Sequence, residues 1–388
     1  MTMMAYQMLS VAVGWHVYEL SGRALDLGLI GLAQFMPSIV LVLIVGHVAD
    51  RYDRRRISRL TMAIGVLASL ALGTASATGH VVEFGIFAAV FVIGAARAFQ
   101  NPSMQALLPT LVPAHDLSRA VAASATATQM ATIAGPALGG VVYAFGSAAA
   151  YAVCAALYAG GVIAMHRMRI ARTVPSREPP TLESFFAGIS FIRRNPVMLG
   201  AISLDLFAVF LGGATALLPI YARDILHIGP WGLGVLRSAT AVGALTMALW
   251  LARHPLEGGV GRTMFAAVAA YGAATIVFGA STQVILSFAA LLAMGAADMV
   301  SVVVRSSIVQ LRTPDDMRGR VNAVNTMFIG ASNQLGEFES GTTAEWFGTV
   351  RAVILGGIGT LAVVAIWTRL FPPLLAFDRL DRVAPKRA

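Results

Sequence analysis

Long runs without charged residues dominate the chain. Residues 120–166 contain no Asp, Glu, Lys or Arg. As a single helix they would be about 70 Å long, twice the roughly 30 Å hydrocarbon core of a bilayer. The run therefore predicts two membrane spans joined by a turn near Phe145-Gly146-Ser147. Residues 263–297 show the same pattern, whereas residues 27–48 and 60–82 each fit one span.

Apolar segments separated by charge, glycine or proline predict an all-α integral membrane protein. No ten-residue segment alternates with period two, which excludes a membrane barrel. Twelve spans are expected, near residues 1–20, 25–48, 57–79, 81–112, 117–145, 147–166, 196–222, 229–251, 262–280, 283–311, 318–346 and 349–371.

Charged residues are few and lie mostly on one side of the predicted spans. Only 12% of the 388 residues are Asp, Glu, Lys or Arg, about half the share in soluble proteins, which excludes a soluble enzyme. The twelve-span arrangement puts 22 of the 28 Lys and Arg residues on one side, and the positive-inside rule makes that side cytoplasmic. Both termini are then inside the cell. The net charge of +9 follows from this topology and is no evidence for a nucleic-acid partner.

The most polar interior stretch, residues 167–195, divides the spans into two sets of six. Its apolar residues recur at helical spacing and predict an amphipathic helix on the inner membrane face, with a partly helical linker as the alternative. These residues are Leu182, Phe185, Phe186, Ile189 and Ile192. The expected domains are an N-terminal six-helix bundle (1–166), this cytoplasmic linker (167–195), a C-terminal six-helix bundle (196–371) and a cytoplasmic tail (372–388).

The two halves resemble each other at a fixed offset of 201 residues. Gly94-Ala95-Ala96-Arg97 reappears as Gly295-Ala296-Ala297-Asp298, and Pro113 as Pro314. Gly135 and Gly140 have their counterparts in Gly336 and Gly341. Two pseudo-symmetric six-helix bundles with a substrate site near the midplane are one common transporter architecture.

Three motifs resemble those of the major facilitator superfamily. Gly46 to Arg56 is similar to its G-x-x-x-D-R-x-G-R-R signature, with Asp53 in place of Gly. Arg97-Ala98-Phe99-Gln100 is similar to its R-x-x-Q-G element, with Asn101 in place of Gly, and Gly135-Pro136-x-x-Gly139-Gly140 resembles the core of its antiporter element, with Ala131 in place of the upstream Gly. The whole chain looks most like the bacterial branch that includes enterobactin exporters and macrolide efflux proteins. The resemblance implies the major facilitator fold.

The first motif implies a conformational latch at the cytoplasmic link between spans two and three. Asp50 can cap a helix N-terminus or pair with an arginine there. The alternative is that the arginines only enforce topology. The hairpin around Arg253 to Arg262 lacks the corresponding acid, so the latch is expected on one side only. The latch residues are Gly46, Asp50, Arg51, Arg54 and Arg55.

The third motif puts Gly135, Pro136, Gly139 and Gly140 on one span. Glycines let two helices approach closely, and a proline can bend its helix. A hinge or seam between the halves and a purely structural packing seam are both consistent with this pattern.

Ionisable side chains inside spans are costly and indicate functional sites by default. The resemblance implies that Arg97, with Gln100 beside it, takes part in proton coupling or substrate binding. A structural charge pair is the alternative. The acidic candidates for proton or substrate coupling are Asp205, Asp298 and Glu337.

Several of these candidates have expected neighbours. Asp298 is the repeat partner of Arg97 and is expected across a central cavity from it. Glu337 and Glu339 are two residues apart and therefore point to different faces. Arg237 and Arg305 are their candidate partners.

Absent residue types limit the possible chemistry. Lys386 is the only lysine, so the chain has no phosphate-binding G-x-x-x-x-G-K-[ST] loop. One cysteine, Cys154, and seven histidines without paired spacing leave no metal site to predict. No cofactor is expected, and the energy source is expected to be an ion gradient, most simply that of protons.

These patterns predict a secondary transporter and not an enzyme. Specifically, we expect proton-coupled efflux of a small organic molecule, drug-like or siderophore-like, by alternating access. The expected setting is a bacterial cytoplasmic membrane, with the lipid bilayer, the substrate and protons as partners and a functional monomer. The alternatives are a facilitator or uptake carrier on the same fold and a transport-inactive membrane scaffold or sensor, with a membrane enzyme more distant. Span one begins at Met1 or Met3 without a basic leader, so either translation starts there or leading residues are missing, and a cleaved signal peptide is not expected.

Overall fold

A computed structural model describes residues 1–41, 44, 45, 48, 52–168 and 182–379 of the chain. The described part is helical, with turns between the helices and no strand. Its helices are α1 (Thr2–Ser21), α2 (Ala24–Val40), α3 (Arg54–Ala77), α4 (Glu83–Leu111), α5 (Leu117–Tyr143), α6 (Ser147–Arg167), α7 (Leu182–Arg194), α8 (Pro196–Leu211), α9 (Gly229–Arg253), α10 (Val260–Ala280), α11 (Val284–Arg312), α12 (Arg318–Phe347), α13 (Thr349–Leu370) and the short α14 (Pro372–Leu375).

Eight described segments are long and apolar enough to cross a membrane. Their outer faces carry large apolar side chains that water would not favour, since Phe84 and Phe145 are each 81% exposed and Ile285 is 85% exposed. Such an exterior fits a hydrocarbon environment. The long helices α1, α5 and α12 are not among these eight segments because they carry more polar residues.

One predicted span is not a continuous helix. Residues 196–222 were expected to form one span, but α8 ends at Leu211 and a 3₁₀ turn (Ala214–Leu217), an α-helical turn (Leu218–Ile220) and a π-helical turn (Tyr221–Ile225) follow. Gly212 and Gly213 form the break. A methyl group on Gly213 would lie 2.7 Å from the carbonyl carbon of Gly336, so only glycine allows α12 to approach here.

The chain forms two compact units by contact. Unit 1 comprises Met1–Pro179 and Leu218–Ser238, and unit 2 comprises Pro180–Leu217 and Ala239–Ala388. Unit 1 therefore includes the first turns of α9, which belong to the second half of the sequence. Within unit 1, α1 packs on α5 and α6, α2 packs on α4, and α3 packs on α4 and α6.

Unit 2 repeats much of this pattern. Its α8 packs on α12 and its α10 packs on α11 and α13, the counterparts of α1 on α5 and of α3 on α4 and α6. The close approach of a glycine is repeated as well. A methyl group on Gly94 would lie 3.1 Å from Cα of Gln34, and one on Gly295 would lie 2.8 Å from Cα of Thr240. These two glycines are the partners predicted by the 201-residue offset.

The predicted amphipathic helix is present as α7. Its apolar side chains Ile189 and Ile192 belong to the hydrophobic core of unit 2, together with residues of α8 and α12. A methyl group on Gly188 would lie 2.9 Å from the Arg320 carbonyl oxygen of α12. These residues therefore face protein, where the sequence pattern predicted the membrane surface. Phe186 remains 62% exposed.

Candidate functional site

Arg97 lies in α4 with its guanidinium over the ring of Tyr6 from α1. The guanidinium carbon is 3.4 Å from the ring centroid, a cation–π contact. The Tyr6 hydroxyl donates a hydrogen bond to Oε1 of Gln34 on α2 at 3.0 Å, which fixes the ring. Among the described residues Arg97 forms no ion pair. The alternative of a structural charge pair requires a carboxylate beside Arg97. In the described residues the aromatic face of Tyr6 occupies that place.

A cavity of about 510 Å³ lies beside Arg97 within unit 1. It is bounded by the first turn of α1, the second half of α4, α5 and the end of α6. Arg97 is the charged residue of the described lining, and the others are amides, hydroxyls and apolar side chains. The lining consists of Thr2, Met3, Arg97, Gln100, Asn101, Met104, Gln105, Leu107, Leu108, Leu111, Ser124, Thr128, Met165 and Met168.

Two prolines interrupt the hydrogen bonding of α4 where it lines the cavity. Pro102 and Pro109 have no N–H to donate to the carbonyls of Ala98 and Gln105, four residues earlier. Gln100, 8% exposed, lies one turn after Arg97 and also lines the cavity. The predicted pair of Arg97 and Gln100 is thus brought together at one cavity wall.

Unit 2 contains a buried ion pair between Asp205 of α8 and Arg305 of α11. The other carboxylate oxygen of Asp205 accepts a hydrogen bond from the Ser301 hydroxyl at 2.9 Å. Asp205, Ser301 and Arg305 are 5%, 2% and 3% exposed. The sequence suggested Glu337 or Glu339 as the partner of Arg305, and the structure pairs Arg305 with Asp205, which α8 brings against the same face of α11.

Asp298 lies on the same face of α11 as Ser301 and Arg305, since the three are spaced by three and four residues. It is close enough to interact electrostatically with Asp205 and Arg305. Tyr271 of α10 interacts with both carboxylates, and its hydroxyl donates to the Gly212 carbonyl at 3.0 Å. Two predicted acids therefore share one guanidinium in unit 2.

The acids of α12 have a different environment. Glu339 accepts a hydrogen bond from the Thr343 hydroxyl at 2.7 Å, one turn later on the same helix. Glu337 is half-buried two residues before it, on another face of α12. The other expected partner, Arg237, donates to the Ser10 carbonyl of α1 at 3.3 Å in unit 1.

The predicted latch is described only in part. Gly46, Asp50 and Arg51 lie outside the described residues. Arg54 begins α3, and Asp53 caps that helix by accepting a hydrogen bond from the Arg55 amide at 2.8 Å. The Arg55 guanidinium donates to the carbonyls of Met165 at 3.0 Å and His166 at 2.5 Å. Arg55 therefore caps the C-terminal end of α6, where a cation is favourable.

The glycines of the third motif pack α5 against two helices within unit 1. A methyl group on Gly135 would lie 2.5 Å from Gln7 Cβ, and one on Gly139 would lie 2.9 Å from Met8 Cα, both on α1. Gly140 faces α9, where a methyl group would lie 3.0 Å from Gly234 Cα. In return, a methyl group on Gly234 would meet the Pro136 carbonyl. The motif therefore lets α5 pack closely against α1 on one side and against α9 on the other.

A second polar cluster surrounds the end of α1. The Tyr18 hydroxyl donates to the Asp224 carboxylate, and Arg223 donates to the Tyr18 carbonyl at 3.1 Å. The Tyr143 hydroxyl donates to Glu19 at 2.7 Å. These pairs join residues that are far apart in sequence, and no motif in the chain indicated them.

Comparison with known proteins decides the family. Residues 2–387 match the family described as transmembrane secretion effector. The chain belongs to this family. It is 25% identical over 386 residues to the MFS-type transporter YfiS of Bacillus subtilis, covering 92% of this chain and 89% of YfiS. It is 26% identical over 350 residues to the multidrug efflux pump Tap of Mycolicibacterium fortuitum, covering 86% of this chain and 84% of Tap.

Further likenesses agree with this assignment. Macrolide efflux protein A of Streptococcus pyogenes is 24% identical over 255 residues, with 63% of this chain and 61% of that protein covered. Among solved structures, the D323A mutant of the nucleoside transporter NupG superposes with a TM-score of 0.75 at 11% identity, covering 95% of this chain and 98% of NupG. This member of the secretion effector family is a multi-pass membrane transporter with the major facilitator fold, and the predicted resemblance is confirmed.

Sequence reasoning missed three residues of these sites. Tyr6 stacks on Arg97, while Ser301 and Tyr271 surround the acids of unit 2. The spacing of Asp298, Ser301 and Arg305 was a usable signal, because it puts three polar side chains on one face of an apolar helix. Tyr6 had no comparable signal, since its contact depends on how α1 and α4 are rotated.

Proposed function

We propose that this transporter exports a small organic molecule in exchange for protons, across a bacterial cytoplasmic membrane and as a monomer with both termini inside. The observation that carries the proposal is the presence of two different polar sites. Unit 1 has a cavity whose charged lining residue is Arg97. Unit 2 has two acids, Asp205 and Asp298, beside Arg305.

The cavity of unit 1 is suited to a substrate. Its volume of about 510 Å³ is within the range of roughly 300–1,000 Å³ that small-molecule sites occupy. Its lining combines apolar side chains with amides and one cation, which can hold an organic molecule and orient it. Of the roles expected for Arg97, its position on the cavity wall favours substrate binding, since a cation there can contact a ligand directly.

The acids of unit 2 are suited to carry a proton. Arg305 neutralises one of the two carboxylates, Asp205, through the buried ion pair. Among the described residues Asp298 forms no ion pair of its own, and a proton is the smallest ion that can neutralise its carboxylate. Loading and releasing that proton changes the charge of the cluster, which can bias a carrier between two conformations.

Export is supported by the relatives that carry functional names. Tap is named a multidrug efflux pump and the streptococcal protein a macrolide efflux protein. Both are similar to this chain over 63% or more of its length, and the same direction of transport is the simplest assignment for it.

Proton release from everted membrane vesicles tests the proposal. Respiration acidifies the vesicle interior, and an acridine dye reports the pH gradient while erythromycin, fluorescein and rhodamine 123 are added in turn. We expect at least one compound to dissipate the gradient in vesicles that contain the protein but not in vesicles without it. Asp298→Asn should abolish this effect, because the variant has no carboxylate to protonate there.

Asp316→Asn is the matched control, because Asp316 is an exposed acid between α11 and α12. It should behave as the parent. If a compound accumulated without any change in the pH gradient, the mechanism would be facilitated transport and not antiport. Unchanged proton release in Asp298→Asn would remove Asp298 from the coupling mechanism.

A further inference from the structure

We infer that the unit 1 cavity selects amphipathic molecules that carry a carboxylate or a similar acidic oxygen group, and that it discriminates against organic cations. This inference rests on the proposed role of the cavity as the substrate site. It adds the chemical class of the substrate, which neither the family nor the fold specifies.

The charge of the cavity wall favours an anion. Arg97 is the charged residue among the described lining residues, and its contact with Tyr6 is to an aromatic face, which attracts the cation but does not neutralise it. A cationic substrate would bring two positive charges into a weakly polar space. An anionic substrate would supply the counter-ion instead.

Arg97 forms no ion pair among the described residues, and its guanidinium carbon lies over the Tyr6 ring. The N–H groups of a guanidinium lie at the edges of its plane, so an aromatic contact through the face does not use them. Tyr6 is itself held by its hydrogen bond to Gln34, so the guanidinium has a fixed support. A planar fork of two N–H groups matches a carboxylate in bidentate geometry. Gln100, one turn later on α4, places an amide at the same wall.

The remaining lining accommodates an apolar body. Met3, Met104, Met165 and Met168 contribute flexible thioether side chains to the cavity. Methionine adapts to irregular shapes and makes favourable contacts with aromatic rings. The cavity is therefore selective for charge at one wall and tolerant of shape elsewhere.

The membrane arginine of α11 does not compete for this role. Arg305 is only 3% exposed and already holds the Asp205 carboxylate. Neither Arg305 nor Arg237 of α9 lines the described part of the cavity, whereas Arg97 does.

Binding of two dyes to the purified protein tests the inference. Fluorescein and rhodamine 123 share a xanthene-phenyl skeleton but carry opposite net charge near pH 7.4. We expect fluorescence anisotropy to show fluorescein bound at least about tenfold more tightly than rhodamine 123, as a charge-assisted hydrogen bond supplies. Arg97→Gln should reduce this preference to about twofold or less, whereas Arg97→Lys should retain part of it because the charge remains.

Arg369→Gln is the matched control, since Arg369 is exposed in the last turn of α13 and does not line the cavity. It should keep the preference of the parent. Circular dichroism of each variant verifies that the helices are intact. Equal or tighter binding of rhodamine 123, a preference that survives Arg97→Gln, or binding of neither dye would each overturn the inference.

The dye measurement is independent of proton movement, so the two proposals fail separately. Preferential binding of fluorescein without any proton release in vesicles would retain the substrate class and reject antiport. Proton release driven by rhodamine 123 alone would retain antiport and reject the substrate class.

Discussion

Arg97 and Arg305 show two ways in which this chain keeps a guanidinium within a membrane helix. Arg305 is buried and neutralised by Asp205, with Ser301 completing the hydrogen bonding of the carboxylate. Arg97 is supported by an aromatic ring and borders a cavity. The first arrangement is closed and stabilises unit 2. The second leaves donors for a ligand.

Asp205 and Asp298 should differ when each is changed to the amide. Asp205→Asn removes the carboxylate that forms the ion pair with the buried Arg305, and removing one member of such a pair costs about 3–5 kcal/mol. We therefore expect a clear fall in the apparent Tm of the detergent-purified protein. Asp298→Asn removes the charge that has no guanidinium of its own, and its apparent Tm should stay near that of the parent.

The double variant Asp205→Asn/Arg305→Met is the control for this interpretation. It removes both buried charges and should recover part of the stability lost in Asp205→Asn. Equal thermal stability of the two single variants would mean that Asp298 is paired as firmly as Asp205. In that case the assignment of separate roles to the two acids would fail.

Helix α5 shows how small residues determine packing at the scale of an element. Gly135 and Gly139 admit α1, while Gly140 admits α9. The sequence motif indicated the close approach but not its partners. It left open a hinge and a structural seam, and the contacts show that the seam involves α1 on one side and α9 on the other.

Gly139→Ala should separate α1 from α5. The added methyl group would lie 2.9 Å from both Met8 Cα and the Met8 carbonyl oxygen, and backbone atoms cannot move aside as a side chain can. Such overpacking costs about 1–3 kcal/mol, so we expect a lower apparent Tm. Thermal unfolding followed by intrinsic tryptophan fluorescence measures the change.

Gly85→Ala provides the comparison for Gly139→Ala. Gly85 lies in the first turn of α4, and a methyl group there would meet only Val82 Cγ2 at 3.6 Å. Alanine should be neutral at this position or stabilising by up to about 1 kcal/mol through its helix propensity. Similar losses in both variants would point to a general effect of removing glycine and away from the seam.

At the scale of the whole molecule, helix positions could be predicted from sequence much better than side-chain partners could. The spans follow from hydrophobic length, so α10 and α13 end within a few residues of expectation. The break after Leu211 was missed because residues 196–222 contain a single charged residue, Asp205, and are otherwise apolar enough for one continuous span. It depends on the approach of Gly336, a residue more than a hundred positions away.

The same reason explains which parts of the candidate sites were predicted. Arg97, Asp205 and Asp298 were recognised because a charge inside a span is costly wherever the helix faces. The contact of Arg97 with Tyr6 and the pairing of Asp205 with Arg305 were not predicted, since pairing depends on the rotation of each helix about its axis. Spacing along one helix carries that information only locally, as it does for Ser301 and Arg305.

Membrane orientation is a property of the whole chain and can be tested with introduced cysteines. The single native cysteine, Cys154, is fully buried, so Cys154→Ala gives a suitable background. His80, between α3 and α4, and Asp316, between α11 and α12, are both exposed. The arginine distribution assigns His80 to the outside and Asp316 to the cytoplasm.

In intact cells a membrane-impermeant maleimide should therefore label His80→Cys and spare Asp316→Cys until the cells are permeabilised. Both positions are exposed, so each is the control for the other, and a difference in labelling reports the side of the membrane. The opposite labelling pattern would invert the topology. The cavity end formed by the first turn of α1 and the end of α6 would then face outward, and export by loading from the cytoplasm would lose its structural support.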